Sequence, residues 1–374
     1  MNAVIILPTY NEKENIENLI TLLEEEIFPQ IKDYKMSILV ADDNSPDGTG
    51  DVVLTLKKKY KNLDITEGEK KGLGAAYIRG MSYAIEKMGA DVLFEMDADG
   101  QHDPTKVPEF LKKIDAGCDM VLGTRYSGGG SIPKNWPPQR KLFSITANLL
   151  VRTIFTKFSV HDWTGGYRAL KKEVFLKEKE KLANFNGYIF QISFLHMAIA
   201  DRFKIGEVPF HFTDRTLGKS KIAPLGYIFD VLYFVITARI KEIIFGHFGK
   251  FFAVGLGGLF INFTTYFLLA HYTTTDLVIA NTIGAQLAIF SNYNLNNLWT
   301  FSNKRTKTLG AYFAKMFMFF LTSNIGVWLF QNGTIYLGNK FYGRQYYLIY
   351  FVVGTAILLV WNFTVYSRFI WKEK

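Results

Sequence analysis

The chain has 374 residues and one cysteine, carries a formal net charge of +9, and is 49% hydrophobic with a mean hydropathy of +0.07. A single cysteine excludes a disulfide framework and a cysteine-based metal cluster. From Phe251 to Lys374 nine Lys or Arg face only Asp276 and Glu373, which leaves the first 250 residues nearly neutral and disfavours a basic nucleic-acid binder.

From the N-terminus, Val4–Leu7 is a β-branched and aliphatic run stopped by Pro8, and it predicts a first strand. Glu14–Glu26 has helical spacing. A second apolar strand, Ser37–Ala41, ends in Asp42-Asp43-Asn44-Ser45-Pro46-Asp47-Gly48-Thr49, which is turn chemistry. Helices are expected over Asp51–Tyr60 and Gly74–Met88, with a strand over Asp91–Met96. Strands alternating with helices predict an α/β domain on a parallel sheet, with ligands at the carboxyl ends of the strands. The acids gather there: Asp42 and Asp43 after one strand, Asp97 and Asp99 after another.

Arg140–Phe158 and Tyr227–Ile244 are amphipathic, and the first is basic. Each suits either a core helix or a helix lying in a lipid headgroup plane. Four apolar runs follow, at about 251–270, 277–301, 311–330 and 346–368. Each approaches the roughly 20 residues that span a bilayer, so the C-terminal part is expected to be an all-α transmembrane domain of four helices. Basic residues alternate between its loops: Lys304, Arg305 and Lys307 on one side, against none in His271–Asp276. That places both termini and the N-terminal domain in the cytoplasm. The opening residues lack a signal peptide's basic segment, and Cys118 has no partner, which agrees with that compartment. The expected domains are 1–225, an interface helix or linker at 226–245, and 246–374.

No phosphate-binding P-loop is present, and no G-x-G-x-x-G follows the first strand. The sharpest chemistry is Asp97-Ala98-Asp99-Gly100-Gln101. Two carboxylates two residues apart at a strand end, with an amide beside them, offer oxygen ligands suited to Mg²⁺ or Mn²⁺. The alternative is a surface turn. The histidines lack metal-ligand spacing, and His102 is read as either a neighbour of this turn or exposed.

Several segments carry a resemblance. Leu-Pro-Thr-Tyr-Asn-Glu at 7–12, Asp-Asp-Asn-Ser-Pro-Asp-Gly-Thr at 42–49, Gly-Leu-Gly-Ala-Ala-Tyr at 72–77 and Met-Asp-Ala-Asp at 96–99 are similar to family 2 glycosyltransferases of the GT-A fold. With Gly-Thr-Arg-Tyr at 123–126, Asp-Trp-Thr-Gly-Gly-Tyr-Arg at 162–168, Gly-Tyr-Ile-Phe-Gln at 187–191, Gly-Glu-Val-Pro-Phe at 206–210 and Asp-Arg-Thr-Leu-Gly-Lys-Ser-Lys at 214–221, the chain over about 1–235 resembles the dolichyl-phosphate mannose synthases. The region from Phe251 onward resembles the GtrA-like four-helix membrane domain, including Asn-Asn-Leu-Trp-Thr-Phe at 296–301.

The resemblance implies a Rossmann-like nucleotide-sugar domain and metal-dependent, inverting transfer of mannose from GDP-mannose to dolichyl or another polyprenyl phosphate. It implies donor contacts from Pro8, Tyr10, Glu12, Ala41, Asp43, Asp97, Ala98, Asp99, Gln101, Arg125, Arg215 and Lys221. Asp97, Asp99 and Gln101 form its metal set. Arg125, Arg140 and Ser220 take the acceptor phosphate, and Asp99, Arg125 and Arg215 are its catalytic residues. For Arg125, Arg215 and Lys221 the competing role is a surface ion pair, and for Asp43 a bond within its own turn.

Related polysaccharide synthases place an acid where this chain reads Asn186-Gly187-Tyr188-Ile189-Phe190-Gln191. A sugar hydroxyl needs such a base, whereas a phosphate is already an anion, so its absence favours a lipid-phosphate acceptor. No obligatory protein partner is implied. Two other readings remain: a polyprenyl-phosphate glucosyltransferase using UDP-glucose, and a lipid flippase with an inactive sugar-binding domain. Intact Asp97, Asp99, Gln101 and Arg215 oppose the second.

Overall fold

The computed structural model describes residues 1–185, 187–214, 225–273, 277–304, 308–326, 329–330, 333–343 and 346–371. The chain divides into two compact units, Met1–Ile236 and Thr237–Lys374.

The first unit begins with β1 (Asn2–Thr9), whose residues are buried on both faces. That is the mark of a central strand covered by helices on either side. Helix α1 (Lys13–Leu22) buries Ile16, Leu19 and Ile20 at helical spacing. Next come β2 (Lys35–Asp42), α2 (Thr49–Lys59), β3 (Leu63–Glu67), α3 (Leu73–Met88) and β4 (Val92–Glu95). The turn before α2 is set by Asp47, whose Oδ1 accepts from the Thr49 amide at 3.0 Å, while Gly48 takes φ +85°. Beyond lie α4 (Val107–Asp115), β5 (Met120–Thr124), α5 (Pro138–Phe155), β6 (Arg168–Lys171), α6 (Lys172–Leu182), α7 (Tyr188–Ala200) and β7 (Ile205–Pro209).

The seven strands lie in the order β3-β2-β1-β4-β6-β5-β7. Strands β3, β2, β1 and β4 are parallel, as expected, and so are β5 and β7. The expectation of a wholly parallel sheet is corrected by β6, which runs antiparallel to both β4 and β5. The long excursion through α5 and the 161–167 loop brings the chain back from the opposite end. Its hydrophobic signal is only four residues long, too short to declare a direction. Ile5, Leu7, Ile38, Val40, Phe94 and Phe110 are central to the core on one face of the sheet.

Helix α8 (Leu225–Phe245) runs across the boundary between the units. The second unit is entirely helical among the described residues: α9 (His247–Tyr272), α10 (Leu277–Leu295), α11 (Leu309–Gly326), α12 (Gly333–Tyr342) and α13 (Tyr347–Val365). One-turn π-helical segments, Asn296–Thr300 and Tyr366–Ile370, extend α10 and α13. The sequence reading did not anticipate α12. Among the described residues one helical stretch, His247–Thr265, is by itself long and apolar enough to cross a membrane. An aromatic cluster of Phe251, Tyr293, Phe301, Phe319, Tyr366 and Trp371 forms the core of this unit.

Candidate active site

Strand β1 is flanked by β2 and β4, so the carboxyl ends of three parallel strands open side by side. Such an edge is where open α/β sheets hold ligands. On its β1–β2 side lie Pro8 and Ala41, register partners across the two strands. Tyr10 follows, with the Lys70 ammonium 3.2 Å from its ring centre. The Glu12 carboxylate accepts from the Asn15 side-chain carboxamide at 2.8 Å.

The two acids at the carboxyl end of β2 divide their work. Asp42 is absorbed by the turn: it accepts from the Thr9 hydroxyl at 2.6 Å and from the Ser45 amide at 2.8 Å. Asp43 instead pairs with Arg79 of α3 at 2.8 Å. Arg79 also donates to the Asp42 carbonyl at 3.1 Å. The turn-bonding role considered for Asp43 therefore belongs to its neighbour. Nothing in the sequence marked Arg79, which reaches the site from 36 residues away.

The Asp97–Gln101 turn follows β4. The Tyr77 hydroxyl donates to Asp97 Oδ1 at 3.2 Å. Buried Asp99 accepts from the Gln101 amide at 3.0 Å, and Ala98 is buried beside it. Gly100 sits at φ +76°, which lets the turn double back. Gln101 donates from its side chain to the Thr213 carbonyl at 3.2 Å, and Thr213 returns a bond to the Gly100 carbonyl at 3.0 Å. His102 is 3% exposed, which settles the choice left open for it. Its Nδ1 accepts from the Asp97 amide at 3.0 Å, so its proton resides on Nε2. Burial pushes its pKa down to about 4, and it stacks on Tyr167 as a neutral ring.

Arg125, just past β5, holds Asp162 through Nε at 2.7 Å and Nη2 at 2.9 Å, and reaches the Thr164 hydroxyl at 2.8 Å. Its competing reading was a surface pair, but Asp162 is completely buried. Asn148 of α5 sets this loop, donating to the His161 carbonyl and accepting from the Trp163 amide at 2.9 Å. Arg140 lies over the Trp136 ring at 3.9 Å and 3.7 Å from Asp214. The Trp136 indole donates to the same Asp214 carboxylate at 2.6 Å. Because Asp214 follows Thr213, one short strand of chain joins Arg140's anchor to Gln101.

Phe212 ties these groups together, with the Arg125 guanidinium 5.3 Å from its ring centre and the His102 and Trp136 rings edge-on to it, so Asp97, Ala98, Asp99, Gln101, Arg125 and Arg140 form one connected neighbourhood. Pro8, Tyr10, Glu12, Ala41 and Asp43 lie along the adjoining strand ends. Arg215, Ser220 and Lys221 lie outside the described residues. Tyr77, Asn148, Trp136 and Arg79 were missed. Tyr77 and Asp162 both lie within the motif segments at 72–77 and 162–168, but nothing local marks either as a partner of Asp97 or Arg125.

A divalent ion fits the Asp97–Gln101 turn. Its donors are hard oxygens, from the Asp97 and Asp99 carboxylates and the Gln101 amide. A sparse set of this kind suits Mg²⁺ or Mn²⁺, which keep positions for water and substrate phosphate.

Residues 4–177 match the family Glycosyl transferase family 2, and residues 250–371 match the GtrA/DPMS transmembrane domain. Polyprenol monophosphomannose synthase of Mycolicibacterium smegmatis is 40% identical over 59% of this chain and 81% of its own length. Dolichol-phosphate mannosyltransferase of Pyrococcus furiosus is 31% identical over 99% of both chains. Among solved structures, glucosyl-3-phosphoglycerate synthase of Mycobacterium tuberculosis, with Mn²⁺ and UDP-glucose, overlaps 64% of this chain and 78% of its own, with 18% identity and a TM-score of 0.44.

Proposed function

The chain belongs to the polyprenyl-phosphate mannose synthases, family 2 glycosyltransferases with a GtrA/DPMS transmembrane domain, and on that premise we propose that it transfers mannose from GDP-mannose to dolichyl or another polyprenyl phosphate with inversion. The observation that carries the reading is the linked arrangement of the Asp97–Gln101 turn and two arginines, Arg125 and Arg140, each aligned by a carboxylate.

In this reading Pro8, Tyr10, Glu12, Ala41 and Asp43 hold the nucleoside end of the donor. Asp97, Ala98, Asp99 and Gln101 take the diphosphate, with Arg125, Arg215 and Lys221 around it. Arg125, Arg140 and Ser220 receive the acceptor phosphate. An acceptor oxygen attacks the anomeric carbon opposite GDP, the bond from that carbon to the diphosphate oxygen breaks, and its electron pair leaves with GDP. No proton is transferred, so no base is needed. Asp97, Asp99 and Gln101 would hold Mg²⁺ or Mn²⁺, which would supply positive charge opposite the departing diphosphate. Arg125 is already oriented by Asp162, so stabilising the developing charge requires little reorganisation.

The lipid acceptor requires a membrane surface. Leu142, Phe143, Ile145 and Leu149 of α5 are all exposed, which supports an interfacial role for this helix. The remaining organisation belongs to the same proposal: domains at 1–225 and 246–374 around an interface segment at 226–245, four membrane spans, and both termini with the catalytic unit in the cytoplasm.

The test is transfer of labelled sugar into organic-extractable lipid, with GDP-mannose and UDP-glucose offered in parallel to polyprenyl phosphate. Label from GDP-mannose alone, lost with EDTA and in Asp99→Ala, is the expected result. Label from UDP-glucose alone overturns the donor assignment. No label from either donor, beside an active control enzyme, overturns the transferase reading.

A further inference from the structure

The second unit is apolar outside and hydrogen-bonding inside. Leu259, Phe260 and Phe263 of α9, with Phe317 of α11 and Val360 of α13, are all well exposed. Within the unit, residues of α9, α10, α11 and α13 and of the two π-helical extensions line a cavity of about 160 Å³. Its polar lining is Asn292, Asn296, Asn362, Ser323 and Tyr366. Ser323 and Tyr366 bond to each other at 2.5 Å. The three carboxamides are not closed in this way. The Oδ1 atoms of Asn292, Asn296 and Asn362 are buried with no hydrogen-bond partner among the described residues.

An unpaired buried amide is costly, and a surrounding bilayer offers no water to relieve it. Asn292, Asn296 and Asn362 line one void, and a turn of each carboxamide about its last side-chain bond would offer its unpaired oxygen to a hydrogen-bond donor held there. The lining carries no charged side chain, so it has no counter-charge for a phosphate or an ammonium group. Carboxamides present donor and acceptor together, which matches neighbouring hydroxyls. Phe251 and Phe319 add aromatic side chains to the lining. The backbone makes room as well: a Cβ at Gly258 of α9 would overlap the Asn292 amide.

We propose that this cavity is a second saccharide site, built from the second unit alone, that binds an uncharged polyhydroxyl group about the size of one sugar ring. The cavity's own chemistry carries this inference. Two sources supply such a group, a free hexose and the hexosyl headgroup of a lipid; naming the lipid as the enzyme's product rests on the function proposed above.

The experiment uses the full chain in nanodiscs of phosphatidylcholine, free of glycosidic detergent. Equilibrium binding is measured for octyl β-mannopyranoside, methyl β-mannopyranoside and octyl phosphate. Two variants act by different routes. Asn362→Leu removes one amide. Gly255→Leu fills the void while leaving every amide in place; a Cβ at Gly255 meets no atom within 4 Å, and leucine is a good helix former. Mannosyl transfer from GDP-mannose and thermal melting report whether each variant is folded.

The expected result is saturable mannoside binding by the unaltered chain, weakened roughly tenfold or more in both variants, with no octyl phosphate binding and with transfer retained. Binding of octyl but not methyl mannoside assigns the lipid-linked source, and binding of both assigns the sugar group itself. Absence of saturable mannoside binding, as a cavity holding only water would give, overturns the proposal. So does binding undiminished in Gly255→Leu, or equal binding of octyl phosphate. Should the unaltered chain transfer no mannose, the proposed function fails while the binding measurements still decide the cavity.

Discussion

Arg125 and Asp162 meet through two parallel contacts, Nε to Oδ2 at 2.7 Å and Nη2 to Oδ1 at 2.9 Å, across 37 residues of sequence. Burial pushes the Asp162 carboxyl up, but the Arg125 charge, its hydrogen bonds and the backbone amides of Arg125 and Thr164 together hold it below the usual range. The pair is therefore ionised at neutral pH, and the guanidinium is held in one orientation.

Asp162→Ala leaves the guanidinium without its buried partner. A loss of about 3–5 kcal/mol of stability is expected, read as a lower melting temperature of the full chain, with a fall in kcat. Arg125→Lys keeps the charge but not the two-pronged geometry. It is expected to preserve most of the stability while kcat drops roughly tenfold or more. Equal kcat in Arg125→Lys and the unaltered chain would count against a phosphate role for Arg125.

Glu95 and Arg168 face each other across β4 and β6, 4.0 Å apart and wholly buried. Burial raises the Glu95 pKa from 4.5 to about 7, against the opposing pull of Arg168. Below pH 4.5 the residue is neutral in both folded and unfolded chains. Between pH 4.5 and 7 the unfolded chain releases this proton while the folded chain retains it, so the associated stability fades as pH rises and is gone above 7. The change amounts to about 3 kcal/mol at most. Melting measured from pH 5 to 8 should show a smaller decline in Glu95→Gln than in the unaltered chain.

Asn148 closes both sides of the loop that carries Asp162. Asn148→Ala leaves a carbonyl and an amide unpaired in a buried place, at about 1–3 kcal/mol each. Destabilisation of that order is expected in chemical denaturation, with lower transfer activity because Asp162 no longer holds Arg125.

The apolar face of α5 gives a kinetic prediction. Replacing Leu142, Phe143 and Leu149 together by Glu removes three exposed apolar side chains and adds charge repelled by anionic lipid. KM for the polyprenyl phosphate is expected to rise roughly tenfold or more, with KM for GDP-mannose unchanged. A rise in both would mean that the substitutions disturb the fold.

Much of the catalytic unit was legible in the chain. The periodicity of Glu14–Glu26, Asp51–Tyr60 and Gly74–Met88 anticipated α1, α2 and α3, because amphipathic helices and buried strands announce themselves within a few residues. The Asp97–Gln101 turn was legible for the same reason, as its parts are neighbours along the chain. The partners that orient the site were not. Arg79 reaches Asp43 across 36 residues, Asn148 receives Trp163 across 15, and Trp136 reaches Asp214 across 78. The direction of β6 and the presence of α12 were equally hidden, the former in four residues between longer elements.

The sequence by itself therefore determined which groups are available for chemistry and where they lie along the chain: paired carboxylates after a strand, arginines beyond the later strands, and a charge-poor apolar region at the end. These depend on residue type and short-range spacing, which folding does not alter. Tertiary structure alone decided which arginine is held, by which buried acid, and that the asparagines of the second unit surround one void. Such facts are set by three-dimensional packing, where long loops and strand pairing bring together groups that no local pattern relates.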